Sequence, residues 1–458
     1  MSMRCDYDDA LPRFAALVVA HLGKQALLEH IFLRDSSGRI TLVLRGQHQY
    51  PEDTLEALLR EVRSELTPYV DSVPIATPSE LFDPALDVED IGHWERMGVA
   101  EASYDEEAAD RNPMALLAGD AIRVLERRLV GQDWLTPPKS PIADAPPIVV
   151  FASLKGGVGR STALAVAAAD FAARGHNVLA LDLDLEAPGL GSMLLPDDRC
   201  PTYGALDFFV ENGLRLLDDE FFEDLYGTSP LTQGQGLVHV VPAVGRRCTT
   251  YPQNVLGKLA RAYLEDPSPD GPKGFLAQVR DLITSMVRRH RYDVILVDTR
   301  AGLHESTAAS ILGLGADVLL FGIDTPQTFR GYAFILAHLA RFATTHTSED
   351  EDDWRSRFRF VHAKAVVNKE RWLTFNDQAF ELFADYLYDR DDDDLSEPFN
   401  FSLDAPEAPH HPWRVLSDSN YAEFDPPRRS EQLEEPSYAR TFGDFLGKLY
   451  KRVFPHAS

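Results

Sequence analysis

Cysteine is scarce in this chain: 458 residues contain three, Cys5, Cys200 and Cys248. None forms a CxxC pair, so neither a disulfide framework nor a cysteine-rich zinc site organises the fold, and a reducing compartment fits best. Long apolar runs are missing too. No stretch approaches the ~20 residues that span a bilayer. The opening residues MSMRCDYDDA are acidic and lack the basic-then-apolar layout of a secretory leader. A cytoplasmic location is the resulting expectation. Positive charge is in short supply: 45 Lys and Arg stand against 72 Asp and Glu, a formal net charge of −27. A surface of that sign repels phosphate backbones and anionic lipid, so neither nucleic acid nor membrane is expected as a partner.

What is present suffices for a sizeable core, with 44% apolar residues and 26% charged. Five prolines in residues 135–147 mark a linker. Before it, residues 1–134 read as a small α+β interaction module. Helical periodicity covers 10–30 and 55–66, a strand–turn–strand pattern covers 31–44, and a helix is expected over 113–130. After it, residues 148–370 alternate short apolar runs with helical patterns. Strands are expected at Ile148–Ser153, 178–183, Val238–Val241, 294–297, 318–323 and 358–367, with helices at 161–174 and Phe275–Arg289 among those between. Continuous apolar strands suit a sheet buried on both faces, and the alternation predicts an α/β, doubly wound, mostly parallel sheet. Residues 371–458 form an extension with helices over 376–387 and 436–453 around a proline-rich loop at 398–427. Two acidic runs, 349–353 and 389–394, read as solvated surface.

The informative segment is Leu154-Lys155-Gly156-Gly157-Val158-Gly159-Arg160-Ser161-Thr162. It follows an expected strand and opens an expected helix. Glycines let the backbone curl so that successive N–H groups point inward, and the helix N-terminus adds positive potential, which together cradle a polyphosphate. Ser161 would offer its hydroxyl to Mg²⁺, and Thr162 would bond an α-phosphate. Two further strand ends carry acids. Asp182-Leu-Asp184-Leu-Glu186-Ala-Pro188-Gly189 follows one, and Asp298-Thr299-Arg300-Ala301-Gly302 follows another. Carboxylates at the carboxyl ends of strands beside a phosphate loop can hold metal-bound waters and orient an attacking water.

The loop resembles the deviant Walker A motif KGGxGK[ST] of the ParA/MinD superfamily of P-loop ATPases, and most closely the variant with arginine in place of the last lysine, the KGGVGR-motif ATPases. The acidic segment at 182–189 is similar to that superfamily's switch I, DxDxxxPG. Residues 298–302 resemble its Walker B strand running into switch II, with Arg300 and Ala301 where the usual form, DTPPG, has prolines. The resemblance covers about half the chain. It implies a P-loop sheet that binds ATP and Mg²⁺. Gly156, Gly157, Val158, Gly159, Arg160, Ser161 and Thr162 would hold the phosphates, and Gly302 would give its N–H to the γ-phosphate. Asn368, at a strand end, would contact the adenine edge. Ser161, Asp182 and Asp298 would serve the metal, and Asp184 would position water. Lys155 would reach across a homodimer to the partner's phosphates. The run Asn368-Lys369-Glu370-Arg371 lacks the acid of NKxD, which disfavours guanine.

These readings converge on a switch that dimerises on ATP and hydrolyses it slowly to ADP and phosphate. It would regulate an unidentified partner protein in a bacterial defence or signalling system. Two alternatives stand beside it: an ATP-binding scaffold that does not hydrolyse, and a ParA/MinD-like positioning or partitioning ATPase.

Overall fold

A computed structural model describes residues 5–455 apart from 47–49, 84–85, 87–98, 105–119, 128–130, 132, 213, 232–233, 266–272, 344–352 and 390–397. The chain forms two compact units that divide between Thr136 and Pro137, inside the proline-rich segment.

The first unit contains helices α1 (Tyr7–Leu22) and α2 (Gln25–Glu29), strands β1 (Ile31–Arg34) and β2 (Ile40–Val43), helix α3 (Glu52–Leu66), and strands β3 (Ile75–Ala76), β4 (Val99–Tyr104) and β5 (Asp120–Glu126). Their sheet runs β3-β2-β1-β5-β4. Phe14, Val18, Leu27, Phe32, Leu58 and Val62 meet in one core against its helix-covered face. Two expectations are corrected here. The helix over 10–30 is two helices, because the chain turns at Gly23 with φ +86°, a conformation that glycine adopts without a Cβ clash. The described part of 113–130 contains a strand instead of a helix. Ile122 and Val124 alternate onto the core face, and β5 pairs in parallel with β1, so sheet pairing outweighs helical propensity.

The second unit opens with β6 (Ile148–Ser153), helix α4 (Arg160–Ala173), β7 (Val178–Asp182), α5 (Leu190–Leu194), α6 (Ala205–Glu211), α7 (Asp219–Glu223), β8 (Gly227–Thr228) and β9 (Val238–Val241). It continues with α8 (Arg246–Thr250), α9 (Val255–Ala262), α10 (Phe275–Arg289), β10 (Val294–Asp298), α11 (Glu305–Gly313), β11 (Asp317–Gly322) and α12 (Pro326–Ala343). It closes with β12 (Phe358–Ala365), α13 (Lys369–Tyr386), β13 (Trp413–Leu416) and α14 (Glu435–Val453). The sheet order is β13-β12-β11-β6-β10-β7-β9-β8. Every pairing is parallel except the edge pair β8–β9. This is the expected α/β, mostly parallel architecture. From β6 the chain moves to β7 on one side, and later from β10 to β11 on the other. The carboxyl end of β6 therefore lies at the point where the winding reverses, the place where open parallel sheets bind ligands. All six residues of β6 are buried.

The extension after residue 370 completes this unit. β13 lies within the expected loop at 398–427 and pairs with β12, burying Trp413 and Val415 on alternate positions. Helix α14 packs on α4: Tyr438, Phe442, Phe445 and Leu449 share one core with Phe151, Phe171 and the alanines of α4. The Tyr438 hydroxyl donates to Asp170 of α4 at 3.1 Å. The acidic runs fall mostly outside the described residues; at their described ends, Asp353 and Asp389 both pair with Arg355.

Candidate nucleotide site

The loop between β6 and α4 has the shape its glycines permit. Gly157 and Gly159 have φ of +75° and +92°, a region other L-residues enter at a cost. A Cβ built on Gly156, Gly157 or Gly159 would meet nothing within 4 Å, so the curve faces open space. Val158 turns the other way and is buried, anchoring the loop in the core. Lys155 is exposed, and Ser161 and Thr162 are half-buried in the first turn of α4. That first turn presents backbone N–H groups with no intrahelical partner.

Arg160 does not point outward. It is buried, with its Nε 2.5 Å from Asp298 Oδ1 and its Nη2 3.3 Å from Asp184 Oδ2. The guanidinium also donates to the hydroxyls of Ser153, at 3.3 Å, and Ser161, at 3.5 Å. Burial works against its charge, but Asp298 and Asp184 more than offset this and hold it protonated above the ordinary arginine range. Strand register explains the meeting. Asp298 ends β10 opposite Phe151 of β6 on one side and Asp182 of β7 on the other.

The acids have separate duties. Asp182 is fully buried, and both its oxygens are occupied by backbone. Oδ1 accepts from the Asp184 N–H at 3.0 Å; Oδ2 accepts from Gly189 at 3.2 Å and Leu190 at 3.1 Å. It thus shapes the 183–189 turn and caps α5, the role this structure gives a residue expected at the metal. Burial, followed by the charge of Asp298, pushes its pKa up to about 7. Asp184 is also pushed up by burial, against the opposing pull of Arg160. Its Oδ1 accepts from the Ala187 N–H at 3.2 Å. Among the described residues, no group of three or more His, Cys, Asp or Glu is spaced to hold a metal alone. A divalent ion here would use Asp298, Asp184 and the Ser161 hydroxyl, with phosphate oxygens completing its shell. The open cradle beside paired buried carboxylates fits Mg²⁺ and a polyphosphate.

Gly302 has φ +99°, and its N–H donates to the Ser153 carbonyl at 2.9 Å. Asn368 caps α13: its Oδ1 accepts from the Arg371 N–H at 3.0 Å, while Arg371 pairs with Asp324 at 2.8 Å. It lies at the end of β12, two strands from β6, beside a cleft of about 380 Å³ lined by Val366, Val367, Trp372 and Leu416. The structure therefore gathers Arg160, Ser161, Asp182, Asp184, Asp298 and Gly302 at one place, leaves Lys155 exposed on the loop, and sets Asn368 apart on a separate cleft.

Sequence reasoning missed a second cluster. Glu186 Oε1 lies 2.8 Å from Arg300 Nη1 and 3.4 Å from His304 Nε2, and it accepts from the Tyr263 hydroxyl at 3.0 Å. Burial lowers the His304 pKa, with Glu186 opposing. The available signals were the extra acid at 186 and the arginine at 300; neither histidine nor tyrosine showed a recognisable spacing.

No family model and no curated protein sequence matches the chain. Solved structures do. A ParA family ATPase from Chlorobium tepidum is 16% identical, covers 66% of this chain and 99% of its own, and has a TM-score of 0.41. The MinD cell division protein of Aquifex aeolicus is 15% identical over 66% of this chain and 96% of its own, with a TM-score of 0.40. A structure of pNOB8 ParA bound to nonspecific DNA is 16% identical over 68% and 100%, with a TM-score of 0.39. Among the described residues, no helix is long and apolar enough to cross a membrane.

Proposed function

We propose that this chain is a Mg²⁺–ATP switch. The supporting observation is the glycine cradle at the carboxyl end of β6, closed behind by Arg160, Asp184 and Asp298. The loop and the first turn of α4 would take the phosphates of ATP. Ser161, Asp298 and Asp184 would serve Mg²⁺, whose chemistry when bound is to neutralise charge on the phosphate oxygens. Asp184, the less buried of the two acids that hold Arg160, would orient water; Gly302 would offer its N–H once released from Ser153. Asn368 would face the base. Lys155, exposed at the mouth of the cradle, would extend to a second subunit, so that ATP favours a homodimer and hydrolysis to ADP releases it. The surfaces of the first unit would then engage a partner protein, in a defence or signalling role.

Titration calorimetry with ATP, ADP and a non-hydrolysable analogue at millimolar Mg²⁺ tests the reading, with phosphate release measured alongside. Binding of adenine nucleotides supports it. Indifference to all three removes it.

The second reading is a scaffold that binds ATP without turnover. Its support is also Arg160, which holds in ion pairs the two acids that metal and water would need. Tight binding with no phosphate release selects this reading. The third is positioning or partitioning. The matching structures include a plasmid partition protein of Borrelia burgdorferi and a ParA bound to nonspecific DNA, so the expectation that nucleic acid is not a partner gains no support from them. Salt-sensitive association with duplex DNA would select it.

A further inference from the structure

The two segments that flank the cradle are tied to each other. Glu186 belongs to the turn after β7, and Arg300 and His304 to the turn after β10. Their shared contact on Glu186 Oε1 is joined by Tyr263 from beyond α9. One step along the chain from Arg300 and Ala301, the Gly302 N–H is turned back onto the Ser153 carbonyl. The Arg300 carbonyl is itself anchored, accepting from the Thr307 hydroxyl at 3.0 Å. The segment 299–302 is thus tied to β6 at both ends, the Thr299 N–H to the Phe151 carbonyl and the Gly302 N–H to the Ser153 carbonyl. Glu186 also has a buried oxygen, Oε2, with no hydrogen-bond partner. An orphaned carboxylate oxygen is costly, so the cluster is not the arrangement that satisfies Glu186 best. A second conformation of the side chain would relieve it.

We propose that the Glu186–Arg300 pair is a latch that sets selectivity between nucleoside triphosphate and diphosphate. This rests on the nucleotide reading above. With the latch closed, the Gly302 N–H is committed to Ser153 and cannot meet a third phosphate. A triphosphate must draw on the fraction of molecules in which the segment has turned outward, and its apparent affinity is reduced by that fraction. A diphosphate uses only the cradle and bears no such reduction. Glu186 and Arg300 are positioning residues in this scheme; neither touches phosphate.

The test measures the dissociation constants of ADP and of a non-hydrolysable ATP analogue at fixed Mg²⁺, on the full chain and on Glu186→Ala, Arg300→Ala and the double variant. The pair is partly exposed, so the expected effect is modest: analogue binding tightens roughly two- to fivefold while ADP binding stays constant. The double variant shows no further gain than either single one, because each removes the same contact. Unchanged ADP affinity reports that the variants are folded, and Glu186→Gln provides a milder form should either alanine variant fail. An unchanged ratio of the two constants, a ratio shifted against the analogue, or additive single effects overturns the latch and leaves the nucleotide reading standing. If the unaltered chain binds neither nucleotide, both fall.

Discussion

Arg160 Nε and Asp298 Oδ1 lie 2.5 Å apart, with both side chains buried and the two residues 138 positions apart in the chain. A basic residue at the start of α4 and the acid at the end of a neighbouring strand are thereby joined into one internal ion pair, with Asp184 as its second arm. Removing one member of such a pair leaves an uncompensated buried charge.

Arg160→Ala therefore lowers stability by about 3 kcal/mol, the range for breaking a buried pair. Asp298→Asn keeps the shape and leaves Arg160 paired with Asp184, so it costs less. Urea unfolding of both variants checks this. A loss under about 1 kcal/mol for Arg160→Ala would mean the pair is not formed as described.

Asp182 gives a pH dependence of definite sign. Its folded-state pKa is about 7 against an ordinary value of 3.8, so between those values the folded chain binds more protons than the unfolded one. Stability then falls as pH rises through roughly 4 to 7, and the loss is complete above the folded-state value. Asp184, also raised, contributes with the same sign. Asp182→Asn removes its share. The urea midpoint of this variant should vary less between pH 5 and 7.5 than that of the natural chain; parallel slopes would exclude the assignment.

Lys155 separates assembly from folding. It is exposed, and exposed substitutions away from special features usually change stability by within about 0.5 kcal/mol. Lys155→Ala should melt with the natural chain, yet remain monomeric by gel filtration with light scattering when the ATP analogue is added. A dimer that persists in the variant would remove Lys155 from the interface.

Phe445 tests whether the last helix belongs to the core. Fully buried on α14, its ring stands 6.2 Å from Phe151, 5.9 Å from Phe321 and 6.3 Å from Trp413, on three strands of the sheet. Phe445→Ala should cost about 3 kcal/mol or more through lost burial and the cavity left behind. A chain that tolerated it would show α14 to be an appendage.

Local pattern was enough to reveal the alternation of strand and helix from 148 onward, the glycine loop at 155–162 and the acids at 182, 184 and 298. Each depends on neighbours within a few residues: apolar runs for strands, glycines for positive φ, carboxylates where a strand stops. It misled where a pairing partner was distant. The 113–130 segment has a helix-compatible composition, but residues 120–126 find β1 and become a strand. Trp413–Leu416 looked like loop because four residues among prolines carry little periodicity, and only β12 makes them a strand.

The sequence by itself determined that a glycine curve would form between a buried strand and a helix of a parallel sheet, because backbone freedom and strand burial are local properties. Only the tertiary structure decided what the charged side chains do around it. Arg160 turns inward, Asp182 serves backbone amides, and Glu186 ties one turn to another. Those choices depend on which opposite charges and donors arrive within about 3 Å from remote parts of the chain, and electrostatic pairing in a buried site is decided by that arrival.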